Sequence, residues 1–506
     1  MNSAQRNPRQ PRPAERPPLG RWWWLLHPGW RPVGVGLGVF AALVSLAAGA
    51  WQGLHPLAPA PWHWGAALAV TLVVAILARG SPYALPVLLV WWPVWWPTRA
   101  LLALGAALAL GRALWPRRRG RQVLLGRTAW GRPLAVPEAD RLMHLHILGP
   151  TGSGKSTTVL APLMRQDIAA GVPFTLIEPK GDLAEAVRRD LLCARRPVVP
   201  FNPTDPAVPH LNPLAGPPAA AAEGLALALD QLEPGTPSFY RTVSRVLLVQ
   251  AVQAVTTALG AEADLPAVLR FLRSDGFRAE VLAQHQDPEV AAYFRQEWGS
   301  VGRGRQQEWQ MGLVNRLRSF LLHPGLARAL TPPYDFTMDD VWDGPSLVAT
   351  LPAGELGLGA RATGALLWHL LVQSALRHGP QDRLCHALYL DEFHQYVAPD
   401  LSDVLAMVRG FGLSVVLAHQ DMSQLSPPLQ QAVEANARTH ILLAGAAADD
   451  VARFSRSAAP HPLANPRYAA RGRATVLLTH QGRLQPPAAA KLPRPRPSPP
   501  LALWAP

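Results

Sequence analysis

The sequence predicts an α/β domain on a parallel sheet, with an all-α domain inserted into it and an N-terminal transmembrane helical region ahead of it. Three observations carry this. From residue 141 onward, short apolar runs alternate with helical patterns, as in a parallel sheet covered on both faces. Between Pro217 and Leu330 the strand-like runs stop and only helical spacing remains. Before residue 115 the chain consists of apolar runs flanked by arginine. A length of 506 residues allows roughly three to five units at about 100 to 200 residues each.

In chain order, residues 1–32 form a basic Arg/Pro-rich segment, expected on the cytoplasmic side. Residues 33–115 hold the apolar runs Val33–Trp51, Trp64–Ala78, Tyr83–Trp96 and Leu101–Trp115, with no acidic residue between Glu15 and Glu138. Thirteen of the 18 tryptophans lie in the first 130 residues, clustered at run ends such as Trp22–Trp24, as in an interfacial belt. Six N-terminal arginines and the cluster Arg117–Arg119 place both flanks inside, so the span count is even, two or four. The protein is thus expected in the inner (plasma) membrane as a multi-pass chain with its α/β part in the cytoplasm. A cleaved signal peptide does not fit, because the first apolar run begins after residue 30. Residues 116–140 read as a basic linker.

The net charge of +14 belongs to these flanks and to the C-terminus: residues 134–466 carry 26 basic and 33 acidic side chains. Overall basicity is therefore no argument for nucleic acid. Cys193 and Cys385 stand far apart without a C-x-x-C, which excludes a disulfide framework and a zinc site.

The α/β part divides into 141–216 and 331–480 around the helical insertion 217–330. Its strands are expected at Leu142–Leu148, Phe174–Ile177, Val198–Phe201, Ser346–Leu351, His386–Leu390, Leu413–Ala418, Thr439–Ala444 and Ala474–Thr479. Helical spacing in the insertion is seen at Val243, Val246, Leu247, Gln250 and Ala251. The proline-rich tail, 481–506, reads as disordered, its low-complexity character marked from Ala488 onward.

Between the first strand and a helix at Thr157–Ala169 lies Gly149-Pro150-Thr151-Gly152-Ser153-Gly154-Lys155-Ser156, which fits G-x-x-x-x-G-K-[ST]. The glycines let successive backbone N–H groups close around phosphates, and the following helix dipole adds to anion binding. Gly149 to Thr157 thus form the expected cradle for ATP, with Lys155 bridging the β- and γ-phosphates and the Ser156 hydroxyl on Mg²⁺. Ala387-Leu388-Tyr389-Leu390-Asp391-Glu392 is an apolar strand ending in two carboxylates. Asp391 is expected in the Mg²⁺ shell, and Glu392 as acceptor of the attacking water's proton. The reaction this predicts is phosphoanhydride hydrolysis.

Arg409 to Gln420 forms a third constellation. Gln420 ends a strand next to the carboxylates, where it would sense the γ-phosphate or orient water. Arg409 precedes that strand at a helix end, either reaching a neighbouring subunit's nucleotide or complementing its helix dipole.

Taken together, Glu178-Pro179-Lys180-Gly181-Asp182, Asn212-Pro213-Leu214, the Leu-Asp-Glu-Phe of Leu390–Phe393, the Arg-Gly-x-Gly-Leu-Ser of Arg409–Ser414 and Gln420 resemble the TraG/TraD-like coupling proteins of type IV secretion and conjugation. These are membrane-anchored members of the FtsK/HerA class of DNA pumps. The likeness spans about 141 to 480 and implies a RecA-like motor, a homohexameric ring and a helical insertion that meets the DNA-processing complex. It favours Arg409 as a finger in trans and Gln420 as sensor. The implied partners are single-stranded DNA, relaxase-type proteins and components of the secretion channel. The alternatives are an FtsK-like translocase of duplex DNA and a non-translocating membrane scaffold that uses nucleotide only to assemble.

Overall fold

The computed structural model describes residues 121–230, 237–284, 287–397 and 401–495. The expected N-terminal segment at 1–32 and the membrane region at 33–115 lie outside the described residues.

Twelve strands form one sheet, in the order β2-β1-β12-β10-β9-β3-β8-β7-β4-β6-β5, with β11 (Arg483–Leu484) paired to β10. The strands β3 (Leu145–Leu148), β4 (Phe174–Glu178), β5 (Val198–Phe201), β6 (Ser346–Thr350), β7 (Gln381–Asp391), β8 (Phe411–His419) and β9 (Thr439–Leu443) are all parallel. Every residue of β3, β4 and β9 is buried, because helices cover both faces. Those helices include α1 (Ala161–Ala170) and α2 (Asp182–Cys193), whose Leu163, Met164, Val187 and Leu191 share one core with Ile147, Leu176 and Val416 of the sheet.

Charged and imidazole side chains inside this core find partners in one another. The Arg141 guanidinium bonds both Asp167 and, at 2.7 Å, the Tyr389 hydroxyl. His146 on β3 bonds His419 on β8 (Nε2 to Nε2, 2.8 Å) and His440 on β9 (Nδ1 to Nδ1, 3.1 Å). Burial holds these imidazoles neutral, His419 down to about 3 and His440 to about 4.

The other side of the sheet departs from expectation. β10 (Arg473–His480) runs antiparallel to β9, and β12 (Ala488–Lys491), β1 (Gln122–Thr128) and β2 (Pro133–Pro137) continue antiparallel. The sheet is therefore mixed. Within the stretch expected as a linker, 116–140, the described residues from 121 are not one, since Val123, Leu125 and Val136 of the β1–β2 hairpin bury against the core. Nor is the tail disordered from Ala488: Ala488–Lys491 pairs with both β10 and β1, and Ala490 and Leu492 are buried. Backbone pairing rather than a run of large apolar residues holds that strand.

Among the described residues, 217–330 is helical throughout, from the helix Pro218–Asp230 to the helix Pro324–Ala329. The neck of the insertion is closed by backbone bonds from Leu211 to Ala329 (2.8 Å) and from Asn212 to Phe336 (3.0 Å). One helix, Ser238–Glu262, is long and apolar enough to cross a membrane. Its Leu247, Leu248, Ala251, Val252 and Val255 are nonetheless buried in the protein core, alongside Phe271 and Trp298.

Candidate active site

Strands β3, β8 and β7 are adjacent, so their C-terminal ends lie side by side at about 4.8 Å spacing. The chain leaves β3 toward β4 on one side, while β9 lies on the other, which makes this a switch point where a crevice opens. Each of the three ends delivers chemistry. Beyond β3 come Gly149–Ser156, β7 ends in Asp391 and Glu392, and β8 is followed by Gln420.

The cradle needs its glycines for different reasons. Gly152 (φ +79°) and Gly154 (φ +99°) take left-handed backbone. At Gly149 a Cβ would lie 2.7 Å from Leu443 Cβ, so only hydrogen fits. The helix after the cradle opens with a wide π turn at Lys155–Leu160 and continues to Ala170, slightly longer than the expected Thr157–Ala169. Lys155 is buried, with Nζ donating to the Gly149 carbonyl at 2.7 Å and lying 3.8 Å from Glu392 Oε1. Burial lowers its pKa, against the opposing pull of Glu392 and Asp391.

Ser156 Oγ donates to Asp391 Oδ2 at 3.1 Å, which places hydroxyl and carboxylate as two oxygen donors on one side of the crevice. Burial, then the neighbouring Glu392 charge, raises the Asp391 pKa. A carboxyl in that state is one that a bound cation would return to its ionised form, so Ser156 and Asp391 fit a Mg²⁺ site.

Glu392 is a non-glycine residue at φ +52°, a strained left-handed conformation. That backbone turns its carboxylate toward the cradle. Gln420 Nε2 donates to Glu392 Oε1 at 3.2 Å, whereas the buried Oε2 has no hydrogen-bond partner among the described residues. Lys155, Ser156, Asp391, Glu392 and Gln420 are thus brought together. Arg409 is not. It sits at the opposite end of β8, whose nine residues span about 30 Å at 3.3 Å each, and contacts the Met143 sulfur at 3.6 Å.

A cavity of about 300 Å³ joins the cradle to residues that the motif reading gave no catalytic or nucleotide role. Glu178 ends β4 as Asp391 ends β7, an apolar strand closed by a carboxylate, and that signal was available in the sequence. Its carboxylate accepts the N–H groups of Lys180 (3.2 Å), Gly181 (2.7 Å) and Ala184 (3.0 Å), fixing the loop that brings Lys180 to the cavity. Arg471 and Pro495 reach the same cavity from the antiparallel flank, and no local motif marks them.

Residues 386–461, which include Asp391, Glu392, Arg409 and Gln420, match the family profile described as the TraM recognition site of TraD and TraG. No curated protein matches the chain by sequence. Among solved structures, the bacterial conjugative coupling protein TrwBΔN70 in its unbound form is similar with a TM-score of 0.54 and 18% identity, over 76% of this chain and 91% of that one. The plasmid coupling protein TrwB with ADP and Mg²⁺ gives 0.54 and 19% over 74% and 91%; with a non-hydrolysable ATP analogue it gives 0.54 and 17% over 76% and 92%. The described α/β part with its helical insertion therefore has the fold of these coupling proteins, and the resemblance seen in the motifs holds in both the profile and the fold.

Proposed function

We propose that the protein is a membrane-anchored, ATP-driven DNA translocase that couples conjugative DNA, with bound protein, to a type IV secretion channel. The observation that carries this reading is the convergence of Lys155, Ser156, Asp391, Glu392 and Gln420 at one crevice of a coupling-protein fold. The matched profile at 386–461 supports a relaxosome-type partner.

The cradle N–H groups and Lys155 hold the phosphates, and Ser156 with Asp391 holds Mg²⁺. When bound, that ion neutralises charge on the β- and γ-phosphates. Glu392 acts as general base: Gln420 immobilises Oε1, and Oε2 is the acceptor left for the proton of the attacking water. Arg409, about 30 Å along β8 from its own cradle, serves a neighbour's site in a homohexameric ring. Motion of the ring then draws single-stranded DNA through its channel, with residues 33–115 as anchor.

The test is the ATPase rate of the detergent-solubilised full chain, alone and with single- or double-stranded DNA. Stimulation by single strands is expected. Equal rates with and without DNA would leave a nucleotide-dependent scaffold as the better description, and preferential stimulation by duplex would favour an FtsK-like pump.

A further inference from the structure

The cavity at the cradle has two chemically different ends. Its phosphate end is made of backbone N–H groups, Lys155, Lys180 and four carboxylates, Glu178, Asp182, Asp391 and Glu392. The rest of the lining is Ala161 and Arg165 on α1, Leu183 and Ala186 on α2, and Arg471 and Pro495. These last two come from a part of the chain remote from every nucleotide motif.

Their position is fixed by the sheet. Arg471 precedes β10 at Gly472, whose φ of +81° turns the chain. The N–H of Leu492 donates to the Gly472 carbonyl at 2.9 Å, so the chain leaving β12 is tied to the loop that carries Arg471. Leu492 is buried, which anchors the three residues that lead to Pro495. Among the described residues the exposed Arg471 side chain makes no ion pair, and Arg471 lines the cavity together with Pro495.

We infer that Arg471 and the C-terminal strap Leu492–Pro495 form the nucleoside wall of the site. The occupant is the base and ribose of the nucleoside triphosphate, held by apolar contact with Ala161, Leu183, Ala186 and Pro495 and by the Arg471 guanidinium against the base π-face. A planar cation on an aromatic ring is worth about 0.5 to 2 kcal/mol. The inference rests on the nucleotide reading above and goes beyond it, because it assigns the proline-rich end of the chain to the ligand.

The experiment compares Mg·ADP with Mg·pyrophosphate on the full-length chain by titration calorimetry, in the wild type, Arg471→Ala, and Arg471→Ala with Pro495→Gly. Pyrophosphate reports the cradle alone. The double variant should bind ADP roughly tenfold more weakly, by the magnitude of such a stack, and pyrophosphate as the wild type does. Unchanged ADP affinity would overturn the inference. Equal weakening of both ligands would also overturn it, since the two residues would then only support the cradle. If the wild type bound ADP no more tightly than pyrophosphate, no nucleoside wall exists, although the phosphate site stands. Failure of the wild type to bind either ligand would sink the nucleotide reading and this inference with it.

Discussion

The two halves of the sheet are built on different terms. Of the seven parallel strands, β9 to β5, the central ones are buried on both faces, and β3, β8, β7 and β4 end in residues of the crevice. The antiparallel flank of β10, β12, β1 and β2 brings together chain from around residue 125 and from beyond residue 470. It supplies no residue to the phosphate cradle, yet it places Arg471 and Pro495 at the far wall of the same cavity. On the proposed function the parallel half carries the chemistry, and the flank lines the space beside it.

The boldest way to break this division is Arg409, which belongs to the parallel half but lies at the wrong end of β8 for its own site. As a finger in trans it should contribute about 10³ to 10⁵ in rate. Arg409→Ala should therefore bind ATP normally and hydrolyse it poorly. Mixing Arg409→Ala subunits with Lys155→Ala subunits should restore activity at junctions where an intact cradle meets an intact arginine. The control is wild type diluted with Lys155→Ala; activity there and none in the two-variant mixture would make Arg409 a cis residue or a helix-dipole partner.

Next in size is the buried pair beneath the parallel half. Asp167→Ala leaves the Arg141 guanidinium uncompensated in the core, with only Tyr389 beside it. A cost of about 3 to 5 kcal/mol is expected, read as a large drop in the thermal midpoint. A drop no greater than that of an exposed substitution would show the pair to be dispensable.

Gly126→Ala sharpens the contrast from the flank. A Cβ there would lie 2.5 Å from the Lys491 carbonyl on β12. The strands must move apart, at roughly 1 to 3 kcal/mol. Stability should fall while kcat at saturating ATP stays unchanged, and a collapse of kcat would place the flank inside the chemistry.

The smallest effect concerns pH. Burial pushes the Asp450 carboxyl up to about 6, above the ~3.9 of an unfolded aspartate. The native state therefore keeps a proton that the unfolded chain releases, and this group's contribution to stability declines as pH rises from about 4 to about 6. Asp450→Asn should flatten the decline in a series of thermal melts. An unaltered slope would assign it to other groups.

The same contrast explains what the sequence disclosed. Each central parallel strand buries both faces and so is written as an apolar run, which made β4, β6, β8 and β9 legible within a residue or two; the edge strand β5 was legible from its Val-Val-Pro-Phe run. The first strand was expected from Leu142 but begins at Leu145, because Glu138–Arg141 forms a helical turn and His144 takes a positive φ of 62°. The cradle and the Asp391-Glu392 pair were legible because phosphate chemistry dictates residue types at fixed spacing. In the flank β10 was legible as a strand at Ala474–Thr479, but β12 was not: it reads Ala-Ala-Ala-Lys, and only its hydrogen bonds to β10 and to the distant β1 make it a strand. Arg471 and Pro495 stayed hidden for that reason, since pairing across hundreds of residues leaves no local pattern.

The central claim is that the strand ends β3, β7 and β8 form one hydrolytic site with Glu392 as its base. Single-turnover hydrolysis of ATP by Glu392→Gln, measured beside its ATP affinity, tests this most directly. The amide keeps the shape of the crevice and removes the acceptor at Oε2, so binding should persist while the rate falls by about 10² to 10⁴. Turnover at the wild-type rate would contradict the account.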